Sequence, residues 1–84
     1  MFMKLSDLIK DLIKSKKDWL KEIARSDEKD PILYLNEYKT LDEYRLLHFL
    51  ARNNILYEKE NRVYSTFTIT KKGTEVLAKF DIKP

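Results

Sequence analysis

No cysteine occurs among the 84 residues, so a disulfide framework and a thiolate metal site are both excluded, and the redox compartment is left open. The chain has one glycine, which leaves no glycine-rich phosphate loop, and one histidine, which leaves no metal-spaced cluster. Its carboxylates are dispersed along helical stretches, where solvated charge explains them. Neither an enzyme nor a cofactor is expected, and no small-molecule ligand is evident. The longest apolar runs span only a few residues, too short for a transmembrane helix. Met1-Phe2-Met3-Lys4 lacks the long apolar core of a signal peptide. The expectation is a cytoplasmic protein with no membrane partner.

What is present suits one small folded domain over residues 1–84. Hydrophobic residues make up 43% and aromatics 12%, enough for one packed interior and too few residues for a second. Apolar residues recur with a period, which argues against disorder. The net charge of +3 favours a polyanionic partner only mildly, so a nucleic-acid surface must come from how charges are sorted in space. Few Gly and Pro with abundant Lys and Glu suit a protein from a hot environment.

Residues 4–25 have helical periodicity. Leu5, Ile9, Leu12, Lys16, Trp19 and Ile23 alternate in steps of four and three along one stripe. Lys16 interrupts that stripe, and Ser15-Lys16-Lys17-Asp18 resembles a capping box, so a break near Ser15 is open. With no Gly or Pro to enforce it, one long helix is preferred. Ser26 to Asp30 reads as a charged loop. Asp30-Pro31 has the form of a helix start, predicting a short helix to about Tyr38. A tight turn at Lys39-Thr40 then leads into a second capping box, Thr40-Leu41-Asp42-Glu43, and a helix to about Asn53. Residues 31–53 are thus predicted to form a helix-turn-helix. Asn53-Asn54 stops it by left-handed geometry.

Ile55–Lys59 and Val63–Thr70 read as antiparallel strands around Glu60-Asn61-Arg62, with Tyr57 and Tyr64 a candidate cross-strand pair. On the second strand Val63, Ser65, Phe67 and Ile69 share one face, and Tyr64, Thr66 and Thr68 the other. Thr70 caps a closing helix over residues 71–80 that packs Val76, Leu77 and Phe80 inward.

Over about forty residues the chain resembles the winged helix-turn-helix family, in particular small archaeal and viral transcriptional regulators and MarR-like and PadR-like bacterial ones. The carrying residues are Tyr44-Arg45-Leu46-Leu47, Phe49-Leu50, Asn54-Ile55-Leu56, Phe67-Thr68-Ile69-Thr70 and Lys72-Gly73 followed by Glu75-Val76-Leu77. Two departures are Asn54, where the family usually has Gly, and the acidic pair Asp42-Glu43 at the start of the recognition helix. The resemblance implies a mostly helical α+β fold: three helices, a two-stranded β-hairpin wing spanning residues 55–70, and a C-terminal helix. It also implies a transcriptional regulator that binds double-stranded DNA, with a helix in the major groove and a wing on the adjacent backbone. A winged-helix module used for protein–protein assembly is the second reading, favoured by the modest net charge and by Asp42-Glu43.

On the recognition helix Arg45, His48 and Arg52 lie on or beside one face, and arginine suits both guanine edges and phosphate. The same charges also serve as solvated groups paired with Asp42 or Glu43. Lys59, Asn61 and Arg62 occupy the wing tip, where Glu58 and Glu60 partly neutralise them. Lys71 and Lys72 at the closing helix, and Lys39 and Thr40 in the turn, are further phosphate candidates. A helix of ~22 residues would span about 33 Å, more than so small a core needs. Its stripe of Leu5, Ile9, Leu12, Trp19 and Ile23, with Phe2, Met3, Phe80 and Ile82 beside it, is therefore the expected homodimer interface.

Overall fold

The computed structural model describes residues 4–84. It is a small α+β fold with three helices and a three-stranded antiparallel sheet. The order is α1 (Leu5–Arg25), β1 (Ile32–Leu35), a 3-10 turn (Asn36–Tyr38), α2 (Asp42–Arg52), β2 (Leu56–Glu60), β3 (Tyr64–Ile69) and α3 (Lys71–Lys79). The strands lie in the order β1-β3-β2, so β3 is central and both other strands are edges.

The largest correction is β1. The helix expected after Asp30-Pro31 is a strand, paired so that Ile32 faces Phe67 and Leu35 faces Tyr64. No helix-turn-helix forms over 31–53; only the three-residue 3-10 turn precedes α2. Asp30 does not cap, because Asp27 closes the loop first. The Asp27 carboxylate accepts the amides of Lys29 (2.9 Å) and Asp30 (2.8 Å). The run Ile-Leu-Tyr-Leu is β-branched and aromatic enough to follow whichever partner is offered, and β3 offers a ladder. Pro31 is tolerated because it stands just before an edge strand. The sheet therefore has three strands, where a two-stranded wing was expected.

The second correction concerns α1, which is not one straight helix. Lys16 has φ −144° and ψ 47°, so two helical segments meet at a kink. An unbroken helix would turn Lys16 into the buried stripe; at the kink it stays exposed, with its ammonium 5.6 Å from the Trp19 ring. Folded in this way, both segments serve the same core. Leu8, Ile9 and Leu12 enter it from the first, and Leu20, Ile23 and Ala24 from the second. The stripe predicted as a dimer interface is thus largely spent: Ile9 and Ile23 are completely buried and Leu12 nearly so, while Leu5 and Trp19 are half-buried against the core. Ile82 is also buried, and Phe80 packs at the rim. Phe2 and Met3 lie outside the described residues.

The second half follows its expected order closely. From Tyr64 onward the hairpin alternates as read, with Ser65 and Phe67 buried and Tyr64, Thr66 and Thr68 facing out, whereas Val63 precedes β3 and is exposed. Tyr57 and Tyr64 are not partners, since Tyr57 stands opposite Thr68. Asn54 adopts φ 62° and ends α2: its amide bonds Ala51 and that of Ile55 bonds Leu50 (2.9 Å). Asp81, also at φ 62°, ends α3 the same way and turns Ile82 into the core. Thr70 caps α3 by accepting the Gly73 amide at 2.9 Å. Thr40 does not cap α2: the N-cap is Leu41, with no side-chain bond.

Candidate nucleic-acid interface

Leu47 and Leu50 bury one side of α2, and the helix lies along β2. That placement exposes Asp42, Glu43, Arg45, His48 and Arg52. Arg45 and Arg52, seven residues apart, lie two turns from each other on the outside of the helix. Among the described residues neither forms an ion pair. Arg45 borders a shallow apolar groove where Leu8 of α1 meets Leu46 and Phe49 of α2, with Asp42 at its edge.

His48 is held differently. Its Nδ1 lies 2.9 Å from Glu58 Oε1, and the Tyr44 hydroxyl donates to Glu58 Oε2 at 2.8 Å. Tyr44 and His48 are four residues apart, so their rings stack on one helix face, 5.8 Å between centroids. Tyr34 of β1 and Phe67 of β3 close the cluster around Tyr44 at 5.7 and 6.1 Å. Lys39 is also engaged, with its ammonium 5.3 Å from the Tyr44 ring and 3.8 Å from Glu60. Two of the expected DNA contacts, Lys39 and His48, are therefore tied to the domain's own acidic strand.

Glu58 was not anticipated as a site residue, yet it organises this face. Its register opposite Phe67 points it inward towards α2, and its side chain is only 10% exposed. Burial alone would raise its pKa, but hydrogen bonds from His48 and Tyr44, with the buried Ser65 hydroxyl near it, outweigh burial and hold it below its ordinary value. The Tyr44 phenol is pushed up to about 12 by burial and by its bond to the Glu58 carboxylate. Tyr34 is raised as well, first by burial and then by the charge of Glu43.

The sign of the pH effect follows. A carboxylate whose pKa falls on folding stabilises the fold above its unfolded value, and that contribution is lost as pH drops through the folded value. Urea midpoints should accordingly fall below pH 4.5, the ordinary value for this group. Glu58→Gln should flatten that slope and cost about 1–2 kcal/mol at pH 7, because a bond to a charged acceptor is replaced by a neutral one. An unchanged slope in urea titrations would remove Glu58 from this role.

At the hairpin tip Asn61 is partly a structural residue. Its carboxamide oxygen accepts the amides of Val63 (2.9 Å) and Tyr64 (2.8 Å), and its backbone carbonyl accepts from the Asn36 side chain. Arg62 beside it is exposed and among the described residues has no ion pair, and the same holds for Lys59 on the outer sheet face. Lys71 and Lys72 are exposed at the start of α3, and Thr40 in the turn. The hairpin separates these groups: Lys71 follows the Thr70–Ile55 end of the ladder, whereas Arg62 is at the other end. The six residues of β3 set them roughly 20 Å apart. Arg62 and the Lys71-Lys72 pair therefore lie at opposite ends of the hairpin.

Among the described residues no group of three His, Cys, Asp or Glu side chains could hold a metal ion, and no helix is long and apolar enough to cross a membrane. No family model, curated protein or solved structure matches this chain.

Proposed function

We propose that this chain is a small double-stranded DNA-binding regulator, a winged-helix variant in which the 3-10 turn stands in place of the helix before α2. The carrying observation is that Arg45 and Arg52 lie exposed on α2 with no carboxylate partner among the described residues, while Lys39 and His48 beside them are engaged. The hairpin beside α2, with Arg62 at its tip, supports the same reading by supplying a second contact with the backbone. Asp42 and Glu43 at the start of α2 stabilise its dipole but repel phosphate, so contacts shift towards the middle and end of the helix. Binding on these terms is mainly phosphate neutralisation, with repression or activation following from where the protein sits.

Fluorescence anisotropy of a random duplex across a salt series tests this. Affinity should fall with salt at a slope of about −0.9 per phosphate contacted, and Arg45→Ala with Arg52→Ala should lower that slope by roughly 1.8. Absence of binding at low salt would refute the regulator. The second reading, a module for protein assembly, is favoured by large apolar side chains left exposed, Leu33 and Tyr57 on the sheet and Val63 at the hairpin tip.

A further inference from the structure

The two edges of the sheet are built differently. In the outer ladder, Asn61 bonds Tyr64 and Thr70 bonds Ile55, so the bonded pairs between are Tyr57/Thr68 and Lys59/Thr66. The backbone groups of Leu56, Glu58 and Glu60 therefore face the free edge of β2, where charged side chains in the strand discourage pairing with another chain. On the opposite side the Asn36 amide bonds Val63 at 2.9 Å, which makes Tyr34/Ser65 and Ile32/Phe67 the bonded pairs. Leu33 and Leu35 then direct both their N–H and C=O groups away from β3. Among the described residues neither makes a backbone hydrogen bond on that side.

Apart from its shortness and the Pro31 before it, this edge lacks the usual protection. Ile32-Leu33-Tyr34-Leu35 carries no charge, no bulge and no internal proline. Leu33 is 53% exposed, and Tyr38 and Leu41, two more large exposed apolar residues, follow within a few positions.

We propose that β1 of a second copy of this chain pairs antiparallel with this edge, about a two-fold axis at Tyr34, giving one continuous six-stranded sheet. The strand is self-complementary in that register. Leu33 of each copy faces Leu35 of the other, and those two positions carry the outward backbone groups, so four hydrogen bonds form. Leu33 and Leu35 meet on the outer face, apolar against apolar. Tyr34 meets its own copy as a non-bonded pair, with Cα atoms about 4.5 Å apart. Asp30 and Glu37 flank the strand and approach their like-charged counterparts, which confines the pairing to this short segment and makes high salt the favourable condition. The pairing does not depend on DNA binding.

The absence of cysteine makes the register directly testable. Under mild oxidation in high salt, Tyr34→Cys should form a disulfide-linked dimer in high yield, since about 4.5 Å lies within the range a disulfide bridges, whereas Val63→Cys should not. By sedimentation equilibrium the unmodified chain should reach twice its monomer mass as concentration rises. Leu33→Pro should abolish that rise while leaving the circular dichroism intact, because the amide it removes faces away from β3. Should that variant fail to fold, Leu33→Lys makes the same test by adding charge to the edge. A monomer at every concentration would overturn the proposal and leave the edge to an extended segment of another protein. A dimer that persists in Leu33→Lys, or equal cross-linking at positions 34 and 63, would overturn it too.

Discussion

Gly73→Ala should lower stability by about 2–3 kcal/mol, and Gly73→Val should leave much of the chain unfolded at 25 °C. In the interior of an exposed helix, alanine would gain nearly 1 kcal/mol over glycine. Gly73 is buried in the first turn of α3, and the site decides otherwise. A Cβ there would fall well inside contact distance of the Ile55 carbonyl oxygen, 2.9 Å from its carbon and 2.8 Å from Ile69 Cδ1. The backbone cannot simply step aside, because that carbonyl accepts the Thr70 amide and hydroxyl, both at 3.1 Å. The end of α2, the start of β2 and the cap of α3 are therefore joined at one point. Overpacking of this kind costs 1–3 kcal/mol and more where backbone must shift. For a domain of this size each kcal/mol moves the midpoint about 4–8 °C, so Gly73→Ala should melt roughly 8–24 °C lower. Thermal denaturation by circular dichroism reads this directly, and a variant melting at or above the parent would show that α3 does not press on Ile55.

Why the second half was legible and the first was not is a matter of contact range. The hairpin, the Thr70 cap and the Asn54 terminator are each decided within a few residues, so their signals lie beside one another in the chain. β1 depends on Ser65 and Phe67, more than thirty positions away, and Asp30-Pro31 in front of it imitates a helix start. The kink in α1 had a signal of its own, Lys16 in the buried stripe, but the absence of Gly and Pro outweighed it. The stripe read as a dimer surface has the same origin: once α1 bends, most of its length packs within the domain.

The candidate site was half readable on similar grounds. Arg45 and Arg52 are exposed because helical spacing places them opposite Leu47 and Leu50, and that spacing is visible in the sequence. The capture of His48 and Lys39 by Glu58 and Glu60 is not, since it requires α2 to lie along β2. Strand alternation gave one usable clue, because Leu56 is buried and Glu58, two residues on, must share its face. An inward carboxylate needs partners, and the nearest helix supplies a tyrosine and a histidine one turn apart. These acids hold α2 and the turn before it in place and at the same time lower the positive potential beside the helix.

Phe67 links that helix to the sheet, and Phe67→Ala should cost about 3–5 kcal/mol. The ring is fully buried on the central strand, stands opposite both Ile32 and Glu58, and meets Tyr44 edge-on at 6.1 Å. Its loss would leave a cavity between α2 and all three strands, and Tyr44 could not fill it without releasing its hydroxyl from Glu58. Native domains carry only about 5–15 kcal/mol in total, and one of this size belongs near the low end. The variant should therefore be substantially unfolded at 37 °C by circular dichroism and urea titration, and should lose duplex binding with its fold. Phe67→Leu keeps most of the volume and should cost much less, with binding retained. A Phe67→Ala protein within 1 kcal/mol of the parent would mean that α2 is held chiefly by its polar contacts with Glu58, and then Glu58→Gln would be the more damaging change of the two.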